Sequence, residues 1–534
     1  MVQGVLLLIN LSWDGIGMAN DRKKYAAKNA LAATLGNVLN SLLALVSRTI
    51  FIYSLGTIYN GINGLYSNVL GMLSLAELGV GAAISFTLYK PLAEKDIKKI
   101  QAIMNFYRIA YRLIVGIILA IGIALVPFLK HIIKGANGVD HLILYYLIYL
   151  FNTVSSYLLI YKSTLVEADQ KSYLITNINT ITKVLISVSQ IIVLLLFRNF
   201  LIYLVMGLVV QLFGNIYINY FCNKEYPYLK EKNEEKLSTD ERNIILTKIR
   251  ALMAHKIGDK AVNQTDNIII SYFINVTTVG LVTNYTMIIN LINTFIIAFF
   301  NSATAAIGNI IATEENEKKI VVVRRYDFLG YVFYGWSFLC LYFMLTPFIS
   351  FWIGKDKLIN KEICFMLCAN YFLTGIRVPF SNVKGAAGMY EQDKMVPLLQ
   401  AAVNLLISIY CAKYYGLIGI YIGTLTSSLV PLLIRPVIVY KYIFKENVKI
   451  YFEELAYRLM QIAIAVISLS YIFDRIIISN IIAILFIRLI VCTIMMTVMI
   501  IIFYRKHDEL LYIKNILGRY IKIVIDKRRW FRGG

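Results

Sequence analysis

The chain has 534 residues, of which 59% are hydrophobic and only 16% are charged, and its mean hydropathy is +0.67. About a quarter of the residues in a typical soluble domain are charged, so this composition excludes a soluble protein and indicates a polytopic membrane protein. The net charge of +22 does not indicate a nucleic-acid partner, because the lysines and arginines cluster in loops between apolar segments, as in the positive-inside pattern of membrane topology.

Apolar segments of about 20 residues predict an all-α fold with about 14 transmembrane helices. In chain order, segments 1 to 14 lie near 29–54, 63–89, 103–129, 141–162, 172–197, 199–222, 249–275, 279–312, 326–353, 362–386, 395–413, 416–440, 454–473 and 478–504. Loops assigned to the cytoplasm hold 38 Lys and Arg residues and the opposite loops hold 8. This asymmetry predicts that both termini are cytoplasmic. The predicted domains are a non-native or disordered leader (1–20), an N-terminal six-helix lobe (21–222), a cytoplasmic linker (223–248), a C-terminal six-helix lobe (249–440), transmembrane helices 13 and 14 (441–504) and a basic amphipathic cytoplasmic tail (505–534).

The run before Met18, MVQGVLLLINLSWDGIG, lacks the basic start and the cleavage site of a signal peptide. A start at Met18 would give MANDRKKYAAKNAL, an ordinary basic entry to a first span. We therefore expect the residues before Met18 to lie outside the native chain, and an intact mass beginning at Met1 would contradict this.

The first two segments carry isolated polar groups. In segment 1, Asn37, Asn40 and Arg48 occupy positions compatible with one helix face. Two interpretations of Arg48 stay open, an anion ligand inside the membrane and an anchor at the membrane interface. Glu77, the single acid of segment 2, either binds a proton or cation or packs against a basic residue of another helix.

An internal repeat relates the first half of the chain to the second at a constant offset, that between Glu94 and Glu314. KPLAEKDIKKI after segment 2 corresponds to IATEENEKKIV after segment 8, and a Pro-Phe pair follows at the same offset in the next span of both copies. Because six spans separate equivalent positions, the two copies have the same orientation. The sequence therefore predicts a parallel repeat of two six-helix lobes.

Segment 7 includes ALMAHKIGDKAVNQTDNIII (251–270), which holds five ionisable residues within the length of one membrane span. Each costs a few kcal/mol at the centre of a bilayer, so such a helix normally faces a watery cavity or a partner. One stripe at helical spacing suits a sodium ion or a proton relay, and it consists of His255, Asp259, Asn263 and Asp266. Lys256 and Lys260 lie beside it, where they neutralise the acids or bind an anion. Internal ion pairs and snorkelling are the alternative, which is favoured for His255 and Lys256.

Segments 8 and 10 add further polar groups. Asn290 and Asn293 in segment 8 either line a sugar-binding cavity or form interhelical hydrogen bonds. Segment 10 holds Arg377, which is too deep to reach either surface easily, and Lys384 near its inner end. An arginine that lines a cavity at this depth can bind phosphate in a bidentate manner, and a buried acid is the competing partner.

The sequence indicates no cofactor other than a coupling Na⁺ or H⁺. Cys364 and Cys368 share a helix face, but no second Cys/His pair lies nearby to complete a metal site. The chain has no Gly-rich phosphate loop, which excludes ATP hydrolysis. The tail from Lys506 alternates apolar and basic residues at helical spacing, which predicts an interfacial helix on anionic membrane lipids.

Three runs carry a resemblance to a known family: YNGINGLYSNVLGMLSLAELGVGAAISFTLYKPLAEKD (59–96), HKIGDKAVNQTDNIIIS (255–271) and VGLVTNYTMIIN (279–290). They resemble Wzx-like polysaccharide flippases of the polysaccharide transport family, within the multidrug/oligosaccharidyl-lipid/polysaccharide exporter superfamily. The similarity is distributed over most of residues 20–440.

The resemblance implies a V-shaped pair of six-helix bundles in the bacterial cytoplasmic membrane, around a central cationic cavity. It also implies ion-coupled flipping of an undecaprenyl-diphosphate-linked oligosaccharide to the outer leaflet, and a complex with a polysaccharide polymerase. A diphosphate needs cations inside the membrane, and the candidates are Arg48, Lys256, Lys260, Arg377 and Lys384. The candidates for ion coupling are Glu77, Asp259, Asn263 and Asp266, and those for a sugar or polar cavity are Asn37, Asn40, Asn290 and Asn293.

Three alternatives stay open. The extra helix pair is closer to peptidoglycan-precursor flippases of the same superfamily. A multidrug cation antiporter of this architecture would need an acidic, aromatic cavity, whereas the candidates here include at least as many bases as acids. A membrane enzyme such as a glycan polymerase would need a large outer loop, and the predicted outer loops are short, so we expect a transporter and not an enzyme.

Overall fold

The computed structural model describes residues 20–74, 79–136, 138–231, 237–476, 478, 480–505 and 507–511. Within these ranges it describes the side chains of all residues except 20–27, 30–31, 34, 160, 250–252, 254–257 and 259–263. The leader before residue 20, Glu77 and the tail from residue 512 therefore lie outside the described residues.

The described residues are almost entirely helical. In chain order the α-helices are α1 (Asn20–Leu55), α2 (Thr57–Leu73), α3 (Val80–Glu94), α4 (Ile97–Leu125), α5 (Leu129–Ile132), α6 (Leu142–Ile160), α7 (Ser163–Ala168), α8 (Ser172–Phe197), α9 (Phe200–Glu225), α10 (Thr239–Phe273), α11 (Val276–Thr313), α12 (Asn316–Ile353), α13 (Lys361–Ile376), α14 (Val378–Ala386), α15 (Tyr390–Asp393), α16 (Val396–Val439), α17 (Lys449–Asp474) and α18 (Ile481–Tyr504).

Eleven helical stretches in the described part of the chain are long and apolar enough to cross a membrane. One of them, 390–444, is 55 residues long and contains two spans. The broken pair α2–α3 and the polar helix α10 coincide with predicted segments 2 and 7, which agrees with a count of about 14. The chain is a multi-pass membrane protein.

The helix boundaries reproduce the sequence repeat. Equivalent boundaries are separated by nearly the same offset as the repeated residues: the ends of α1 and α10 (Leu55 and Phe273), the starts of α2 and α11 (Thr57 and Val276), the starts of α4 and α12 (Ile97 and Asn316) and the starts of α6 and α13 (Leu142 and Lys361). Each copy thus places equivalent helices in the same order, as a parallel repeat requires.

α16 is two antiparallel arms joined at Gly416. Gly416 has φ +56° and ψ −127°, a backbone conformation that L side chains rarely adopt, so the turn requires glycine. The arms approach closely because Gly419 and Gly423 lack side chains that would overlap Cys411 and Ser408. Ser408 also donates a 2.9 Å hydrogen bond to the Ile420 carbonyl across the turn. The predicted segments 11 and 12 are these two arms.

The chain divides into two compact units. Among the described residues, the first unit holds 20–283 and 397–423, and the second holds 284–396 and 424–511. In the first unit α8 packs between α1 and α9, α9 packs on α6, and α10 packs on α2 and α3. Its core is rich in buried tyrosines, and the hydroxyls of Tyr66 and Tyr146 donate to the carbonyls of Leu142 and Gly122.

In the second unit α12 is the central helix and packs against α13, α14 and α18. α17 packs on α18 and on α12, so the appended pair joins this unit. Gly375 allows the close approach of α13 and α12, because a side chain there would overlap the ring of Tyr334.

Candidate functional site

Arg48 lies near the C-terminal end of α1, partly exposed, beside the tyrosines Tyr149 of α6 and Tyr203 of α9. Its Nη1 atom is buried and has no hydrogen-bond partner in the part of the chain that the structure describes. A buried guanidinium nitrogen that lacks an acceptor is costly unless a ligand or water supplies one. Arg48 is therefore available to an anionic ligand.

The two tyrosines also line a polar cavity of about 180 Å³ inside the first unit. The polar side chains that line it are Asn63 of α2, Tyr149 and Asn152 of α6, Gln190 of α8, and Tyr203 and Gln211 of α9. Tyr149 donates to Asn63, and the Gln190 amide donates to the Tyr203 carbonyl at 3.2 Å. These amides were not among the predicted site residues, although each is a polar residue in an apolar span.

The amide of Asn152 keeps free hydrogen-bonding capacity. Its Oδ1 atom is buried and accepts no hydrogen bond from any described residue. Its backbone carbonyl accepts 2.9 Å hydrogen bonds from Ser155 and Ser156. Asn215 in turn donates to the Ser156 hydroxyl, and Gln211 donates to Asn215. The cavity thus has a hydrogen-bonded wall of fixed geometry and an acceptor that is not used by that wall.

Two other predicted residues of α1 lie nearby in sequence. Asn40 is about two turns before Arg48 and shares its face of α1; its Oδ1 atom is buried without a partner among the described residues. Asn37 is exposed. The face predicted from segment 1 therefore includes two groups with unsatisfied polar atoms, one acceptor and one donor.

The charged stripe of segment 7 lies on α10, a single helix through 239–273. The side chains of His255, Lys256, Asp259, Lys260 and Asn263 lie outside the described residues, so their roles stay predictions. Asp266 is partly buried, and it lies close enough to the buried Tyr421 to interact with it electrostatically. Beside it, Thr265 donates to Asn404 at 3.2 Å. The two arms of α16 thus pack polar groups against this end of α10.

In the second unit, Lys384 has a structural partner. It is 6% exposed and forms an ion pair with the fully buried Asp393, which also accepts from Arg435 at 3.3 Å. Arg435 in turn donates to Ser381 at 3.0 Å. This network disfavours the predicted role of Lys384 in binding diphosphate, because the charge of the lysine is already matched inside the protein.

The remaining candidates lie at other places of the second unit. Arg377 forms the junction of α13 and α14, where its carbonyl accepts from Ser381, and it is partly exposed. Asn293 is partly buried and accepts a 3.4 Å hydrogen bond from Tyr334, as the interhelical interpretation predicts, while Asn290 is exposed.

A buried ion pair of the second unit was not predicted. Arg458 of α17 pairs with Asp327 of α12, and both are at most 6% exposed. Glu454 lies 3.4 Å from Arg458 and also pairs with Arg324. The signal in the sequence is a charged residue near the start of each of two predicted spans, but the ion pair joins residues 131 positions apart.

No family model matches this chain, and no curated protein matches it. Solved structures do. A structure of the lipid II flippase MurJ in an inward closed conformation superposes with a TM-score of 0.63 at 15% identity, covering 89% of this chain and 98% of that one. An inward-facing multidrug resistance MATE family transporter of the MOP superfamily gives a TM-score of 0.58 at 15% identity, over 77% of this chain and 98% of that one. A mutant of the Vibrio cholerae MATE transporter VcmN gives 0.55 at 14% identity, over 80% of this chain and 99% of that one.

These likenesses span nearly the whole length of each solved structure. They confirm the predicted fold class: the chain is all-α and shares its fold with transporters of the MOP superfamily.

Proposed function

We propose that this protein flips an undecaprenyl-diphosphate-linked oligosaccharide from the inner to the outer leaflet of a bacterial cytoplasmic membrane, by ion-coupled alternating access. The observation that carries the proposal is Arg48, a membrane-embedded guanidinium with a buried nitrogen that no described residue satisfies. A diphosphate offers the acceptor oxygens that such a group needs, in a geometry that matches its planar fork.

The cavity beside Arg48 supports a glycan as the attached group. Amide and phenol groups both donate and accept hydrogen bonds, as sugar hydroxyls do, and Asn152 and Asn40 each keep a buried acceptor available. A cavity of about 180 Å³ admits part of one sugar, so a longer glycan would have to extend beyond it. The described residues that line the cavity include no acid, which disfavours a cationic drug as its ligand.

We assign ion coupling to Asp266, together with the predicted partners Asp259, Asn263 and Glu77. Asp266 is partly buried in a membrane helix, next to Tyr421 and to the Thr265–Asn404 hydrogen bond. An acid in such surroundings is functional by default, because its charge costs free energy wherever water does not reach it. Lys260, Lys256 and Arg377 remain further candidates for the diphosphate.

A second candidate substrate is a peptidoglycan-precursor lipid. It is favoured by the likeness to the MurJ structure over 89% of this chain and by the helix pair α17–α18, which lies beyond the two repeats. Both substrates carry a prenyl diphosphate, so the role proposed for Arg48 is the same for both.

The test is flipping by the purified protein in proteoliposomes. Fluorescent prenyl-diphosphate lipids with either an oligosaccharide or a peptidoglycan-precursor headgroup are supplied, and the fraction exposed to an impermeant quencher is followed with time under imposed Na⁺ or H⁺ gradients. Replacing Arg48 with Gln should slow flipping by roughly 10- to 100-fold, the equivalent of one hydrogen-bonded charge. Arg48→Lys, which keeps the charge and loses the fork, should give an intermediate rate.

The matched control is Arg198→Gln, which removes an exposed arginine just after the C-terminal end of α8. It should flip at the normal rate. Full activity of folded Arg48→Gln protein would refute the proposed diphosphate site. Flipping of the peptidoglycan-precursor headgroup alone would assign the second substrate instead.

A further inference from the structure

The first unit has a second polar cavity, between α4, the end of α6 and α9, which shares no residue with the cavity beside Arg48. It has a volume of about 250 Å³. It is lined by Arg108, Tyr111 and Arg112 of α4, by Leu158, Tyr161 and Lys162 at the end of α6, and by Asn219 of α9.

Three cations converge on this cavity. Arg108 and Arg112 are four residues apart on α4 and lie on one face, where like charges repel each other unless an anion is present. Neither arginine forms an ion pair with any described residue. Lys162 donates to the Asn223 amide oxygen at 2.6 Å, a partner that leaves its charge unmatched.

Two acids of the same unit, Asp169 and Glu225, are engaged with another lysine. Asp169 and Glu225 each lie 3.0 Å from Lys171, and Asp169 also accepts from Tyr226 at 2.8 Å. Although burial favours the neutral form of Lys171, these two carboxylates hold its pKa above the ordinary value. These two acids are therefore matched by Lys171, and no acid is among the described residues that line the cavity.

The position of the cavity along α4 points to the membrane boundary. At 1.5 Å per residue, Arg108 and Arg112 lie about 16 and 22 Å from the start of α4, whose first turn carries polar residues. Each arginine is followed by an exposed apolar residue, Ile109 (64% exposed) and Leu113 (67% exposed). Tyr161 lines the same cavity as the two arginines. Exposed apolar side chains beside basic and tyrosine side chains are typical of the depth in the membrane where lipid acyl chains meet the headgroups.

We propose that this cavity binds the phosphate of an anionic phospholipid headgroup, in the leaflet that the positive-inside pattern assigns to the cytoplasm. Two arginines and a lysine supply charge-assisted donors to the phosphate oxygens, Asn219 and the tyrosine hydroxyls supply neutral donors, and the exposed faces of Ile109 and Leu113 contact the acyl chains. Basic cavities between transmembrane helices bind anionic headgroups in this way. Because the lipid remains in its leaflet, the site is distinct from the transport path and stabilises the first unit.

The test measures thermal unfolding of the full-length protein in neutral detergent as phosphatidylglycerol is added. The lipid should raise the unfolding temperature of the native protein and of the control Arg198→Gln. The Arg108→Gln/Arg112→Gln variant should need roughly 30-fold more lipid for the same rise, since each cation near the membrane surface contributes a factor of about five. The Arg108→Lys/Arg112→Lys variant keeps both charges and should lie between them.

Further arms identify the source of the phosphate. Phosphatidylcholine and inorganic phosphate should each leave the unfolding temperature unchanged at the same concentrations. An equal rise with inorganic phosphate would assign the site to a soluble phosphate and overturn the lipid proposal, and an equal rise with phosphatidylcholine would overturn it by showing that charge is not recognised. Unchanged lipid dependence in the double Gln variant would also overturn it. None of these readouts depends on flipping, so the result is independent of the role proposed for Arg48.

Discussion

Arg458 and Asp327 are buried with opposite charges inside the second unit, and their ion pair joins the appended helix α17 to the central helix α12. Arg458 also lies over the ring of Tyr331, with 5.6 Å between the guanidinium carbon and the ring centroid. Removing one charge would leave the other buried without a matching charge, which is more costly than removing both.

We expect Asp327→Asn to lower the free energy of unfolding by about 3–5 kcal/mol, measured by denaturant unfolding in detergent. The exposed pair Lys449–Glu453 is the matched control, and Glu453→Gln should change the free energy of unfolding by less than about 1 kcal/mol. The double variant Asp327→Leu/Arg458→Met should recover most of the loss. A loss from Asp327→Asn no larger than that from Glu453→Gln would show that the pair does not hold α17 in place.

The sequence predicts only part of the candidate site. Arg48 could be singled out because a charge inside an apolar span is rare. The amides around it could not, since α2, α6, α8 and α9 each contribute one of them to the cavity and only the packing of those helices brings them together. Lys384 shows the opposite case: its charge was visible, but its buried partner Asp393 is nine residues away across a turn.

At the scale of elements, helix existence follows from apolar periodicity, whereas helix ends follow from local hydrogen bonds. α10 begins at Thr239, well before the predicted span, because Ser238 and Glu241 form a capping box at its start. A hydropathy pattern ends where the helix leaves the membrane and therefore cannot detect this polar extension. A hydropathy pattern also does not predict that α2 ends at Leu73 and α3 begins at Val80, because apolar residues continue on both sides of this interruption.

The crossing of α2 with the start of α11 depends on two glycines. A side chain at Gly61 would overlap the Val276 carbonyl oxygen, and one at Gly280 would overlap the Thr57 carbonyl oxygen. The Asn60 amide donates to the Gly280 carbonyl at 2.9 Å, which fixes the register of the two helices.

Gly61→Ala should therefore destabilise the protein by about 1–3 kcal/mol or more, because backbone atoms must move to admit the methyl group. Gly116→Ala in α4 is the control: nothing lies within 4 Å of the added methyl group, so the change should be neutral or stabilising by up to about 1 kcal/mol. Thermal unfolding of both variants in the same detergent compares them. Equal unfolding temperatures would show that the crossing is not tightly packed.

At the scale of the whole molecule, the order of the helices, the repeat and the exporter fold all follow from features that are distributed along the chain. Apolar length predicts the spans, the placement of lysine and arginine predicts their direction, and the constant offset between the two copies predicts two equivalent halves. Substrate identity does not follow in this way, because it depends on a few side chains in a cavity.

Orientation gives a prediction for the whole chain. With Cys411 replaced by Ser, the five remaining cysteines are buried, so single cysteines can be introduced as reporters. In intact cells, an impermeant maleimide should label Asp140→Cys, in an exposed loop that is predicted to be outside, and should label Glu94→Cys only after the membrane is opened. The reverse pattern would invert the predicted topology and place the basic cavity of α4 on the outer side.

The crossing of α2 with α11 is built in the same way from both copies of the repeat. Thr57 and Val276 begin the two helices, and Gly61 and Gly280 each follow four residues later, so the two glycines occupy equivalent positions. Each glycine faces the backbone carbonyl of the residue that begins the other helix. A protein assembled from two identical halves could therefore keep this crossing, because each half supplies both the glycine and the carbonyl that the other half needs. The hydrogen bond from Asn60 to Gly280 is the element that distinguishes the halves, since the position equivalent to Asn60 is Val279.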